Sequence, residues 1–174
     1  MKKQLVFIFT IFISSIIFSQ SFYDLSIKSI EGDTINFDQF KGQYVLVVNV
    51  ASRCGYTKQY ADLETLYQTY DNLVVIGVPS NQFANQEPRS EAEILKFCTD
   101  KYNVSFPMTS KINVKGQYKH QLYAWLTEKN NNLVDDFKIS WNFNKFLINP
   151  SGKLIGHFTS KVKPLNSKIT SLIK

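Results

Sequence analysis

Two apolar runs in the first half of the chain show no alternation with polar residues, which is typical of strands buried on both faces of a sheet. These runs are Tyr44–Val50 and Leu73–Pro79. Between them, apolar side chains recur at helical spacing over residues 60–70. A strand, a helix and a second strand in this order predict a parallel pair joined by a crossover helix.

Shorter signals on either side complete the pattern. Ser90 and Glu93 form a capping box that begins a helix carrying Ile94, Phe97 and Cys98. The remaining predicted elements are strands at residues 22–27 and 34–37 around a turn at 31–33, a helix at 118–129, strands at 143–149 and 153–158 around a turn at 150–152, and a helix from Pro164 to the C-terminus.

This order of elements predicts an α/β, thioredoxin-like fold. We expect a central mixed β-sheet flanked by helices, with a β-hairpin at the N-terminus. In such sheets the functional site lies where the carboxyl end of a strand meets the following helix. Cys54 follows the first buried strand and therefore occupies that place.

The first twenty residues differ from the rest. Lys2 and Lys3 precede a nearly continuous apolar run over residues 5–18, which predicts a signal peptide at 1–20 and a single domain at 21–174. The run is short for a membrane span, which needs roughly 20 apolar residues. We therefore expect an exported protein, periplasmic or extracellular, without stable membrane insertion after processing. An uncleaved N-terminal anchor is the alternative.

Charge and composition exclude some classes of function. Hydrophobic residues make up 44% and charged residues 20%, as in globular proteins. Removing the leader lowers the net charge from +6 to +4, and the lysines are scattered, so we expect no nucleic-acid site. His120 and His157 are isolated from other ligand residues, so no metal site is expected.

The cysteines are the main candidates for chemistry. The chain has two, Cys54 and Cys98. A helix N-terminus stabilises a thiolate, which is the nucleophilic form, and Arg53 and Lys58 would add to this effect at Cys54. The alternatives are that each is an inert core residue or that the pair forms a structural disulfide.

Two common cysteine mechanisms lack a required residue. A disulfide oxidoreductase needs C-x-x-C, and Thr57 stands at the fourth position. A peroxiredoxin-like site needs a threonine three residues before the cysteine, where this chain has Ala51.

Three separated segments make a resemblance specific. Residues 48–57 (VNVASRCGYT), residues 79–83 (PSNQF) with 86–88 (QEP), and residues 141–146 (WNFNKF) are similar to the three signatures of the glutathione peroxidase family, in order and in spacing. The resemblance covers essentially all of residues 21–174. It implies a non-selenium, two-cysteine, thioredoxin-dependent member with a thioredoxin-like fold.

The resemblance also implies roles for residues. The catalytic tetrad would be Cys54, Gln82, Trp141 and Asn142, with Cys98 as the resolving cysteine. Hydrogen peroxide and organic or lipid hydroperoxides would oxidise Cys54 to a sulfenic acid, and Cys98 would convert it to a disulfide. A thioredoxin-like protein or glutathione would be the reducing co-substrate, and no cofactor is expected.

The same resemblance favours a monomer, because residues 128–139 are too short for the interface loop of the tetrameric members. Three alternatives stay open on the residues alone. The chain would be an exported thiol–disulfide oxidoreductase, a redox sensor that passes its disulfide to a partner, or a structural domain joined by Cys54 and Cys98.

Overall fold

The centre of the molecule is a four-stranded sheet, seen in a computed structural model that describes residues 20–174. A separate two-stranded hairpin precedes it. In chain order the strands are β1 (Ser26–Lys28), β2 (Thr34–Asn36), β3 (Tyr44–Val50), β4 (Leu73–Pro79), β5 (Lys145–Ile148) and β6 (Leu154–Phe158).

The sheet is mixed. Its order is β4-β3-β5-β6, with β3 parallel to β4 and antiparallel to β5. β5 and β6 form an antiparallel hairpin. The thioredoxin-like fold and the N-terminal hairpin (β1 and β2) are therefore confirmed.

Helices cover both faces of the sheet, which explains why β3 and β4 are apolar without alternation. Successive side chains of β3 enter two different hydrophobic clusters. Val45 and Val47 pack on one side, and Leu46 and Val48 pack on the other. The helices are α1 (Gln59–Thr69), α2 (Glu91–Tyr102), α3 (Gln121–Thr127), α4 (Lys129–Asn132) and α5 (Ser167–Thr170).

The two cysteines share one of these clusters. Cys54 and Cys98 pack with residues of α1 and α5 on the same face of the sheet, and α3 lies on the opposite face. α2 begins with the predicted capping box: the Ser90 side chain accepts from the Glu93 N–H, and the Glu93 carboxylate accepts from the Ser90 N–H. The placement of Cys98 on this helix is confirmed.

Two predicted helices are shorter in the structure because a side chain caps each at a later residue. The predicted helix at 118–129 begins at Gln121, since His120 Nδ1 accepts from the Leu122 N–H at 3.1 Å. The predicted C-terminal helix begins at Ser167, three positions after Pro164, with Asn166 as its cap.

Two predicted strands also begin later. Residues 22–24 form a 3₁₀ turn because Ser21 and Asp24 make a capping box, and β1 starts at Ser26. The predicted strand at 143–149 starts at Lys145, because Phe143 adopts a left-handed backbone with φ of 63°.

Between residues 20 and 174, no helix has both the length and the apolar content that a membrane crossing requires. The predicted signal peptide at 1–20 lies outside the described residues except for Gln20.

Candidate functional site

The topology brings the three signature segments to one edge of the sheet. β3 and β4 are parallel, so the segments that follow Val50 and Pro79 leave the sheet side by side. β5 runs antiparallel to β3, with Lys145 opposite Val48, so the segment before Lys145 arrives at the same edge. This meeting point is the candidate active site.

Cys54 lies in a turn between β3 and α1. Its N–H donates to Thr57 Oγ1 at 3.0 Å, and Thr57 Oγ1 donates to the Ala51 carbonyl at 2.9 Å. Thr57 therefore closes the turn, at the position where a disulfide oxidoreductase would carry its second cysteine. Cys54 lies before the first residue of α1, Gln59, and the backbone N–H that reaches its sulfur, at 3.4 Å, is that of Tyr56.

The Cys54 side chain is 9% exposed and borders exposed backbone at Gly55. A cavity of about 460 Å³ lies beside this turn, lined by Tyr56, Trp141 and Lys161 among others. A reactant can thus approach the turn through this cavity.

The side chain of Gln82, a member of the predicted tetrad, binds the backbone of residues 114 and 115. The Gln82 carbonyl oxygen accepts from the N–H groups of Val114 and Lys115, at 2.7 and 2.9 Å. Its amide nitrogen donates to the Lys115 carbonyl at 3.0 Å. Both ends of the Gln82 amide are therefore held by this segment, so the side chain fixes a loop.

A second glutamine of the same signature, Gln86, contacts Asn142 of the predicted tetrad. Its Oε1 accepts from Asn142 Nδ2 at 3.0 Å, and its backbone carbonyl accepts from the Arg53 N–H at 3.0 Å. Gln86 belongs to the same signature as Gln82, to which the family resemblance assigns the role in the tetrad. The signal that separates them is the path of the chain, which spacing does not show.

Asn142 is fully buried, and its Oδ1 has no hydrogen-bond partner among the described residues. Its backbone carbonyl accepts from the Ser160 hydroxyl at 2.5 Å. Trp141 is half-buried, contacts both hydrophobic clusters, and lies 5.9 Å from the Phe83 ring between ring centres. The structure therefore brings Trp141 and Asn142 to the sheet edge that Cys54 occupies.

A network of asparagines, missed by sequence analysis, holds this segment in place. Asn49 Nδ2 donates to the Trp141 carbonyl at 3.0 Å, and Asn49 Oδ1 accepts from the Asn144 N–H at 3.0 Å. Asn144 Nδ2 also donates to the Trp141 carbonyl, at 2.8 Å. The available signal was Asn49 itself, a polar residue inside the apolar strand β3, because a buried amide must have partners.

Lys145, next to this network, is a fully buried lysine. Its Nζ donates to the Phe143 carbonyl at 2.8 Å. Burial disfavours the ammonium and lowers the pKa of Lys145 from 10.5 to about 7, and the charge of Asp62 on α1 opposes this shift.

Cys98 is 0% exposed on the buried side of α2. Burial raises the pKa of its thiol from 9.0 to about 11, and the Tyr60 hydroxyl beside it partly opposes this effect. The Tyr60 hydroxyl is close enough to influence the thiol but does not meet the geometry of a hydrogen bond. Cys54 and Cys98 are both free thiols in this structure.

Over residues 20–174, no group of three or more His, Cys, Asp or Glu side chains is placed to hold a metal ion. The signature residues Cys54, Trp141 and Asn142 supply a thiol, an indole and an amide, which suit thiol chemistry.

Comparison with known proteins agrees with this geometry. The profile of the glutathione peroxidase family matches residues 22–127. The chain is 45% identical to glutathione peroxidase-like peroxiredoxin 2 of Saccharomyces cerevisiae, over 88% of this chain and 97% of that protein. It is 38% identical to the glutathione peroxidase homolog BsaA of Bacillus subtilis, over 88% of this chain and 99% of that protein.

A solved structure gives the same result. The crystal structure of Trgpx in apo form superimposes with a TM-score of 0.68 at 38% identity, covering 88% of this chain and 95% of that chain.

Proposed function

The chain belongs to the glutathione peroxidase family, and from this premise we propose that it is a two-cysteine peroxidase that reduces hydroperoxides through Cys54 and Cys98. Membership makes it a peroxidase, an oxidoreductase with a hydroperoxide as substrate and a thiol as reductant. The observation that supports the finer proposal is the position of Cys54 where the three signature segments meet, beside an open cavity.

In the first step, the Cys54 thiolate attacks the terminal oxygen of the hydroperoxide. A sulfur–oxygen bond forms, the O–O bond breaks, and the sulfur supplies the two electrons. The products are a Cys54 sulfenic acid and, once the leaving oxygen has gained a proton, an alcohol or water. Gln86, Trp141 and Asn142 carry amide and indole donors at the same edge of the sheet, and we propose that these donors act on the peroxide.

In the proposed tetrad, Gln86 replaces Gln82. The Gln86 amide contacts Asn142, whereas the Gln82 amide is held by the backbone of residues 114 and 115. A donor amide stabilises developing negative charge only if it points at the reacting atoms.

In the second step, the Cys98 sulfur attacks the Cys54 sulfenic acid, a disulfide forms and water leaves. A thiol that is fully buried with a pKa of about 11 is neither accessible nor ionised at neutral pH. We therefore propose that the part of α2 that carries Cys98 must open before this step.

In the third step, an external dithiol protein of the thioredoxin type reduces the Cys54–Cys98 disulfide by exchange, with glutathione as the alternative reductant. Thiols supply all the electrons in this cycle, so no bound cofactor is required. We further propose that the protein works as an exported monomer, on the basis of the leader at 1–20 and the short segment at 128–139. Its reductant must then be present in the same compartment.

The test is steady-state consumption of cumene hydroperoxide by residues 21–174, with thioredoxin and, separately, glutathione as reductant. We expect turnover with thioredoxin that is lost in Cys54→Ser and in Cys98→Ser, while Cys98→Ser still consumes one equivalent of hydroperoxide. Normal turnover of Cys98→Ser with thioredoxin would rule out the two-cysteine cycle. Consumption of a single equivalent by the wild-type protein, with no turnover, would favour the redox sensor.

A further inference from the structure

Glu87 is a buried carboxylate at the site to which the mechanism assigns no role. Among residues 20–174, Glu87 and Lys145 are the charged side chains that are buried. An ionised group is expensive to bury unless hydrogen bonds compensate for the lost water. The contacts of Glu87 therefore indicate its role.

Both carboxylate oxygens of Glu87 bind the same residue of the Cys54 turn. Oε2 accepts from the Ser52 N–H at 2.7 Å, and Oε1 accepts from the Ser52 hydroxyl at 2.7 Å. Ser52 lies two positions before Cys54, and its hydroxyl also accepts from the Arg89 guanidinium. Glu87 itself is anchored by Asn81, whose Oδ1 accepts from the Glu87 N–H at 2.9 Å.

The neighbouring residue extends this connection to the rest of the site. Gln86 binds the Arg53 N–H with its backbone carbonyl and Asn142 with its side chain, each at 3.0 Å. The dipeptide Gln86–Glu87 thus joins the residues just before Cys54 to the segment that carries Asn142. Charge-assisted bonds of this kind are short and strong, so the carboxylate fixes the turn more firmly than a neutral acceptor would.

We propose that Glu87 is a positioning residue for Cys54: through Ser52 it fixes the position of the sulfur relative to Asn142, Gln86 and Trp141. This inference rests on the proposed peroxidase function, because a geometric requirement of this kind matters only for attack on the peroxide bond. Misplacement of a reacting group by about 1 Å lowers rates by up to about a hundredfold.

The chain contains a matched control for this arrangement. Glu64 on α1 binds Ser105 in the same way, with Oε2 accepting from the Ser105 N–H at 2.8 Å and Oε1 accepting from the Ser105 hydroxyl at 2.6 Å. This second pair joins α1 to the segment after α2 and makes no contact with the Cys54 turn. Glu64→Gln therefore removes an equivalent charge and one equivalent acceptor without changing a contact of the turn.

The experiment compares two reactions of Cys54 in a Cys98→Ser background, where Cys54 is the remaining thiol. One is oxidation by cumene hydroperoxide, and the other is alkylation by iodoacetamide, which needs an accessible thiolate but no aligned donors. The proteins are Glu87→Gln, Ser52→Ala, the double variant and Glu64→Gln. All rates are measured below the temperature at which circular dichroism shows unfolding.

We expect Glu87→Gln to lower the hydroperoxide rate constant about tenfold or more, with a much smaller change in alkylation. The double variant should be no slower than Glu87→Gln alone, because both substitutions act on one connection. Glu64→Gln should leave both rates at the background value. If Glu87→Gln does not fold, Ser52→Ala is used instead. It should also slow oxidation by the hydroperoxide, by a smaller factor.

Equal losses in both reactions, additive effects in the double variant, or an unchanged hydroperoxide rate would each overturn the positioning role. Failure of the proposed function looks different: the background protein, with Glu87 and Ser52 intact, would then not react with the hydroperoxide at all.

Discussion

The two cysteines share one face of the sheet but lie in opposite kinds of surroundings. Cys54 lies in a turn that is closed by Thr57 and borders a cavity, and the Tyr56 N–H points at its sulfur. Cys98 lies within α2, fully buried, where burial raises the pKa of its thiol to about 11.

This difference separates the two halves of the proposed cycle. The groups around Cys54 are already held by hydrogen bonds, so we expect its reaction with a hydroperoxide to need no rearrangement. Cys98 must first leave a stable helix that is capped at Ser90, so the second step depends on local opening. In this proposal, preorganisation sets the rate of the first step, and helix stability sets the rate of the second.

The largest expected effect distinguishes Gln86 from Gln82. Gln86→Ala removes the amide that contacts Asn142, and we expect oxidation of Cys54 to slow about tenfold to a hundredfold, as for the loss of other active-site donors. Gln82→Ala should leave this rate unchanged and lower the free energy of unfolding by about 1–3 kcal/mol, because its bonds to residues 114 and 115 are lost.

Stopped-flow oxidation and urea unfolding of both variants measure these effects. The reverse pattern, with a slow Gln82→Ala and a normal Gln86→Ala, would restore Gln82 to the site and contradict the geometry described above.

The second prediction uses pH to separate the two regions. The folded chain has lost the proton of Lys145 above about pH 7, whereas the unfolded chain keeps it up to 10.5. The unfolded state therefore binds more protons in this range, and stability rises with pH, by at most about 1.4 kcal/mol per unit. We expect a rise of about 1–2 kcal/mol between roughly pH 7 and 9 that Lys145→Met abolishes.

Above pH 9, the contribution of Cys98 to stability changes with pH in the opposite direction. The unfolded chain loses the thiol proton near 9.0 and the folded chain keeps it to about 11, so the contribution of Cys98 to stability falls through this range and offsets the rise from Lys145 up to about 10.5. Tyr60 and Tyr123, whose pKa values burial also raises, add to this fall above 10. Urea unfolding at each pH measures the profile. A flat wild-type profile from pH 7 to 9 would mean that burial does not lower the pKa of Lys145 in solution.

The smallest expected effect tests the opening of α2. Lys96 is an exposed residue in the middle of this helix, and glycine there is about 1 kcal/mol less favourable than alanine. Lys96→Gly should therefore form the Cys54–Cys98 disulfide up to about fivefold faster than Lys96→Ala, with the same rate of Cys54 oxidation.

The same pair of substitutions at Thr65, exposed on α1, serves as the control and should leave disulfide formation unchanged. Rapid acid quenching followed by gel-shift of the free thiols measures the rate. Equal rates for Lys96→Gly and Lys96→Ala would show that opening of α2 does not limit the second step.

Sequence patterns predicted the fold because the elements that define it carry strong local signals. The apolar runs of β3 and β4, the helical spacing of α1 and the capping box at Ser90 each appear at the expected place. The same signals placed Cys54 at the carboxyl end of β3. Where cap residues such as His120 begin a helix later than the apolar pattern suggests, the predicted bounds were too wide.

The different contacts of Gln82 and Gln86 depend on a feature of the backbone that the sequence patterns do not show. Ala84 and Asn85 both adopt left-handed backbone conformations, with φ of 50° and 51°. These two residues turn the chain so that Gln82 and Gln86 face different segments. Asparagine is common at such positions but alanine is not. Asn85 therefore indicates a turn in the sequence, whereas Ala84 does not. The burial of Lys145 was not predicted either, because a lysine at a strand end is usually exposed.

The most direct test of the account follows the two sulfurs through a single turnover. Reduced protein is mixed with one equivalent of cumene hydroperoxide, quenched at intervals with dimedone or N-ethylmaleimide, and analysed by peptide mass spectrometry. The account predicts that a sulfenic acid forms first on Cys54 and is then replaced by the Cys54–Cys98 disulfide, while Cys98 is never oxidised alone. Oxidation of Cys98 before Cys54, or a Cys54 that does not react, would contradict it.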